Sequence, residues 1–442
     1  MRVPYNLRDY QTVSNSDNFT NLVGIYPDNI PFEVQLRVDP HRDGFFFLLF
    51  GPSVTVPDVQ GISKRSAKDI FLLVEECRKK WAEQIVSLNQ PVPKPTGGMR
   101  NEFPFQEYWD FCADPKLLKK AAPQLARAGN RLFELVFESA SDNDLKELAR
   151  ILRGILAAQP RYVGVTSDKF FLPWGMLYTH PIPGEKLNRD GSNWDKEGFW
   201  GYRHIIQHNP KKSRSDPRIQ SKAGAVPLSI NLNEKITTEL KLTASERAFI
   251  EEHFKLIAQL GGKFFIKRTI KKELEQSFCE QRQMLERILY FYCHGHGSTD
   301  GSAVELDTSK LILTDGPVDA VSALDFQAWA KDAPLTTQPL IFINACQGGH
   351  MTTMFYQTLA FELLGQGAVG VVGAQIDIPA IFAAAYAKRV FTHFFEKNKG
   401  RVRLGPLLRE TNKEFWNKHN NPLGLVYSLY RGVDCFIDWH SE

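Results

Sequence analysis

ILYFYCHGHG, residues 288 to 297, and LIFINACQGG, residues 340 to 349, decide how the rest of the chain is read. Each begins as a short apolar run and stops at a residue able to do proton-transfer or covalent chemistry, His294 in the first and Cys346 in the second. Runs of this length bounded by glycine or proline predict strands buried on both faces, as in a parallel sheet. Such sheets carry their ligands beyond the carboxyl ends of the strands. Both reactive residues are therefore expected at one rim.

Around these two runs the chain alternates regularly. A predicted strand in AVPLSINL (225 to 232) is followed by a helix from about residue 244, whose start Thr243 and Glu246 mark as a capping box. Strand KFFIKRTI, helix KKELEQSFCEQRQ and the strand ending at His294 come next. The segment 297 to 320 reads as a hairpin, and a short helix near 322 to 331 leads into the strand ending at Cys346. Helix 353 to 365, strand AVGVVGA, helices 379 to 397 and 404 to 418, and a closing strand pair LVYSLY and VDCFID complete the pattern. Alternation of this kind predicts a three-layer α/β domain with a mostly parallel sheet.

Upstream, PFEVQLRV and GFFFLLF, separated by the polar PHRD, predict a hairpin. A helix follows with Ser66 and Asp69 at capping spacing and Ile70, Val74, Cys77, Trp81 and Ile85 on one face. The proline-rich PVPKPTGG (91 to 98) is the first candidate boundary, and the basic loop 209 to 222 is the second. Between them lie two amphipathic helices within 115 to 158, the strand RYVGVTS, and strands placed so as to form a second sheet. This divides the chain into an N-terminal α+β region (1–92), a middle part (93–222) and a C-terminal α/β domain (223–442).

The interval of 52 positions between His294 and Cys346 carries further information. Caspases show Q-A-C-[RQG]-G with a histidine about 50 residues upstream, and NACQG differs only at its first position. The chain thus resembles the caspase-like cysteine peptidases of clan CD. More narrowly it resembles the CHAT family, for which FFLPWGMLY (170 to 178), FWGYRH (199 to 204), AVGVVGA (368 to 374) and NPLGLVYSLY (421 to 430) also stand as signatures. The resemblance covers roughly the last two thirds of the chain by motif count. It implies that residues 93–222 form a second caspase-like half without a nucleophile, and that the activity is a cysteine endopeptidase acting on protein substrates. It also implies an activating sensor partner and a role in regulated cell death or antiviral defence in a prokaryote.

Composition sets outer bounds. Of 442 residues, 43% are hydrophobic and 24% charged, as in an ordinary soluble globular protein. A net charge of +4 gives no argument for nucleic-acid binding, and the run KKSRSDPR (211 to 218) reads as a solvated linker. No window approaches the roughly 18 uninterrupted apolar residues of a membrane span. The six cysteines are scattered without disulfide or zinc spacing, which fits a reducing cytoplasm.

Cys346 is the expected nucleophile, since a free thiol is only slightly ionised at neutral pH and needs an adjacent imidazole to act. His294 is the expected base. His296 and His350 compete for that role, and the sequence alone does not force the choice; the family pattern, a histidine directly after the strand and before glycine, selects His294. The resemblance also gives Gly295 the part of oxyanion donor, together with the N–H of Cys346. A metal site from Cys293, His294, His296 and His350 is disfavoured because neighbouring strand residues point to opposite faces, and no cofactor is expected. Glycines 365, 367, 370 and 373 have neither the order nor the lysine of a phosphate loop. Trp174 and Trp200 read as core.

For substrate recognition the candidates are Asn344, two residues before the nucleophile, and Gln375 and Asp377 at the end of the next strand. Asp377 has two readings. As a cap for the helix after Pro379 it leaves a neutral pocket, the expectation adopted here; facing the pocket it selects arginine or lysine. The alternative to an enzyme is a catalytically silent scaffold of the same fold. The intact His294 and Cys346 pair argues against it.

Overall fold

A computed structural model describes residues 32–57, 59–93, 98–139, 141–209, 216–279, 284–296, 310–316, 320–330, 335–346, 353–397 and 401–439. The strands are β1 (Val34–His41), β2 (Gly44–Phe50), β3 (Val59–Ser63), β4 (Gln90–Pro93), β5 (Met99–Glu102), β6 (Tyr162–Thr166), β7 (Ile205–Asn209), β8 (Arg218–Gln220) and β9 (Leu228–Leu232). They continue with β10 (Phe265–Arg268), β11 (Ile288–His296), β12 (Lys310–Ile312), β13 (Val321–Ser322), β14 (Leu340–Cys346), β15 (Gly370–Ala374), β16 (Tyr427–Tyr430) and β17 (Phe436–Asp438). The principal helices are α1 (Ala67–Trp81), α2 (Lys116–Phe133), α3 (Asn143–Ala158), α4 (Ile236–Glu239), α5 (Ala244–Gly261), α6 (Lys271–Cys279), α7 (Ala323–Trp329), α8 (Thr353–Gly365), α9 (Ala380–Phe394) and α10 (Leu404–His419).

One sheet of 13 strands runs through the molecule in the order β10-β9-β11-β14-β15-β16-β7-β6-β1-β2-β3, with β12 and β13 attached at the end of β11. The strands β10, β9, β11, β14 and β15 are mutually parallel. Alternation along β11 explains why its sequence is apolar throughout. Ile288, Tyr290 and Tyr292 enter one core with Ile250 and Ile257 of α5 and Val390 and Phe391 of α9. Leu289, Phe291 and Cys293 enter the other with Leu274 of α6, Phe326 of α7 and Leu359 and Leu363 of α8. This is the three-layer α/β arrangement the alternation predicts. Each large side chain so buried contributes roughly 1.5–3 kcal/mol.

The helix starts are where the side chains put them. Ser66, Thr243 and Ser322 each form a capping box with the acid three residues on. The hairpin β1–β2 is present, with His41 opposite Gly44. Two expectations change. The strands β1, β2, β3, β6 and β7 do not make a separate sheet: β1 pairs parallel to β6, β6 to β7, and β7 meets β16, while β4 and β5 form only a small two-stranded sheet of their own. The closing strands do not pair with each other either. Arg431 and Gly432 both take positive φ and turn the chain sharply, leaving β16 beside β15 and sending β17 to a small sheet with β8.

The aromatic stretches meet across the sheet's middle. Trp174 and Trp200 are buried and stacked with ring centroids 6.1 Å apart. Gly175 lies so close to the 421–430 stretch that a Cβ there would stand 2.4 Å from the Leu425 carbonyl oxygen. The glycines after α8 are structural, with Gly367 at φ +108° where the helix hands over to β15. No helix among the described residues is long and apolar enough to cross a membrane.

Candidate active site

The two opening runs are neighbouring parallel strands in register from Ile288↔Leu340 to His294↔Cys346. Adjacent strands lie about 4.8 Å apart, so His294 and Cys346 stand side by side at the carboxyl rim of the sheet. β15 continues that rim, its last pair with β14 being Ile343↔Gly373.

His294 is 7% exposed and held by a carboxylate. Its Nε2 lies 2.9 Å from Glu239 Oε2. That acceptor fixes the Nε2–H tautomer, and Nδ1 makes no hydrogen bond among the described residues. An imidazole so arranged offers an unshared pair at Nδ1 for a proton, while the carboxylate stabilises the imidazolium that results.

Glu239 is brought there by the end of β9. Asn233 N–H donates to the Tyr292 carbonyl at 3.1 Å, extending the pairing of β9 with β11 by one residue. The chain then turns through α4, and Asn233 Nδ2 donates to Glu239 Oε2 at 3.1 Å. The sequence reading passed over Glu239. The available signal was an acid in NEKITTELK, directly past a strand that neighbours the histidine strand.

Cys293 is fully buried on the opposite face of β11, where burial pushes its thiol up, so it stays a thiol. β11 runs on through Gly295 and His296, which pair with Leu311 and Lys310 of β12. Among the described residues no group of three or more His, Cys, Asp or Glu is placed to hold a metal ion. Gly348, Gly349 and His350 lie outside the described residues, as does most of the basic run 211 to 218.

Asn344 is fully buried beneath the rim. Its Nδ2 donates to Tyr290 Oη at 3.1 Å and to the Ala383 carbonyl at 2.8 Å, and its Oδ1 accepts from Tyr427 Oη at 2.6 Å. These bonds tie β11, β14, β16 and α9 together beneath the carboxyl rim. Gln375, 2% exposed, donates from Nε2 to Tyr430 Oη at 2.8 Å. Asp377 is half-buried in the link from β15 to α9. Pro379 occupies the N-cap of α9, with no side-chain cap hydrogen bond. Asp377 lies two residues before that N-cap.

A separate cavity of about 40 Å³ lies under α10, lined by Trp174, His204, His208 and Asn412 among others. It belongs to the middle of the sheet, where β7 and β16 meet, rather than to the His294 rim.

The parallel sheet with its histidine and cysteine strands defines a caspase-like cysteine peptidase fold of clan CD. Peptidase family C25 matches residues 205–430, just over half of the chain, and the chain belongs to that family. No curated protein sequence matches it. Two crystal structures of the Saccharomyces cerevisiae separase–securin complex, at 3.0 and 2.6 Å resolution, are similar at a TM-score of 0.35 and 11% identity. The match covers 81% of this chain and 22% of those chains, so this chain spans about a fifth of their length.

Proposed function

We propose that this chain is a cysteine endopeptidase of CHAT type that cleaves protein substrates with Cys346 as nucleophile and His294 as general base. The observation that carries the reading is the register pair His294↔Cys346 at a sheet rim, with His294 held through Nε2 by Glu239. In the reaction, Nδ1 of His294 takes the thiol proton as the sulfur attacks the scissile carbonyl carbon. It then returns the proton to the leaving amine, giving an acyl-enzyme that water hydrolyses. Backbone N–H groups of Gly295 and Cys346 are assigned to the oxyanion. An activating partner protein switches the enzyme on in prokaryotic antiviral defence or regulated cell death, in the cytoplasm. This part of the proposal is supported by the CHAT-like motif stretches.

The decisive experiment is labelling by a thiol-reactive peptidyl probe. Labelling of the wild type that disappears in a folded Cys346→Ala protein is the expected result. Equal labelling of both, or none of the wild type in the presence of cell extract, favours the silent scaffold.

A further inference from the structure

The inner face of α1 is apolar at Ile70, Val74, Cys77 and Trp81, and Arg78 interrupts it. The Arg78 side chain is only 4% exposed. Its Nε donates to the backbone carbonyl of Gln375, and its Nη1 pairs with Glu75. Removing a guanidinium from water is costly unless it is paired and hydrogen-bonded. A methionine would complete the apolar stripe without that cost, so docking of α1 does not by itself account for an arginine here.

Gln375 is the first residue after β15, and it is fixed on three sides. Its N–H donates to the Val426 carbonyl at 2.8 Å, its side chain donates to Tyr430 Oη, and its carbonyl accepts from Arg78. Burial raises the Tyr430 hydroxyl, while the Gln375 hydrogen bond and the nearby Arg78 charge act in the opposite direction. The Gln375 carbonyl belongs to the peptide that starts the link to α9. That link carries Asp377 and runs past the end of β14, the strand of Cys346.

We propose that Arg78 is a positioning residue for the peptidase site: from α1 it sets the course of the 375–378 segment, and so couples substrate affinity to the N-terminal region. This rests on the peptidase reading above. A partner that displaces α1 by one turn's width withdraws the guanidinium and loosens that wall, without touching His294 or Cys346.

The test compares the wild type with Arg78→Met, which keeps length but no donors, and Arg78→Lys, which keeps charge but not the Nε donor. Two readouts are taken: kcat and KM on a cleaved peptide, and amide hydrogen exchange along the full chain. Loss of one charged hydrogen bond predicts a rise of about tenfold in KM for Arg78→Met, with kcat within about threefold. It also predicts faster exchange confined to 375–378, with β11 and β14 unchanged, and a smaller effect of the same kind in Arg78→Lys. Unchanged KM and unchanged exchange overturn the proposal, as does a fall in kcat at constant KM. Should Arg78→Met fail to fold, Arg78→Lys decides by the same two readouts. Should the wild type cut no peptide even in the presence of cell extract, the peptidase reading falls, and exchange alone still decides whether Arg78 holds the segment.

Discussion

Replacing Glu239 by glutamine removes a charge next to His294 while keeping the shape that fits between Asn233 and the imidazole. The carboxylate oxygen is 2.9 Å from Nε2, and the Glu239 side chain is 46% exposed. Hydrogen bonds to charged groups contribute roughly 1.5–3 kcal/mol, and solvent at a half-exposed acid brings this toward the lower end. About 1.5 kcal/mol, withdrawn from the imidazolium that forms in the transition state, corresponds to a loss of about tenfold in kcat. Turnover of a fluorogenic peptide by Glu239→Gln measures it, with thermal unfolding as the control for fold. Glu239→Ala, which also frees the ring to rotate, is expected to lose more. A kcat for Glu239→Gln within about twofold of wild type refutes the orienting role. A loss above about a thousandfold refutes it in the other direction, by making Glu239 a proton carrier in its own right.

Cys346→Ala is expected to lower peptide hydrolysis by about 10⁴ or more; near-normal turnover of the folded variant removes the nucleophile assignment. His294→Ala should slow turnover far more than His296→Ala, and equal losses transfer the role of base. A peptide library cut by the wild type should show an uncharged residue before the scissile bond, since a neutral pocket cannot compensate a buried charge. A basic preference that Asp377→Asn abolishes overturns the neutral pocket. Burial lowers His208 to about 4 and His253 to about 3, so both are neutral in the folded state and take up protons on unfolding below their ordinary value of 6.5. Their contribution is complete above that value and is lost as pH falls toward 4. Between pH 6 and 5 the two together should remove about 2 kcal/mol of unfolding free energy. Denaturant titrations check this, and an unchanged slope in His208→Gln counts against it.

The strands β11 and β14 were legible because burial on both faces writes an uninterrupted apolar run, and because strand ends place His294 and Cys346 at a shared rim. The capping boxes at Ser66 and Thr243 were legible for a similarly local reason: side chain and backbone partner lie three residues apart. Glu239 was not, since its link to His294 spans 55 positions and depends on how one short helix turns after β9. Arg78 was hidden in the same way, as its acceptor is a backbone carbonyl that any residue at position 375 supplies. The destination of β16 was also illegible. LVYSLY and VDCFID look like partners in sequence, and only the positive φ values of Arg431 and Gly432 send them to different sheets.

β16 has a consequence for synthesis. It stands at the centre of the sheet, between β15 and β7, yet follows every other strand of that sheet in the sequence. A growing chain therefore presents β7 as a bare edge from residue 209 until Tyr427 emerges, with β15 likewise uncovered on one side. Unpaired edges of this kind invite pairing with other chains, and the long interval makes closure slow, since distant contacts form late. The two banks of strands are bridged by a keystone delivered last, and ribosomes that stall before residue 427 release a chain with both inner edges open.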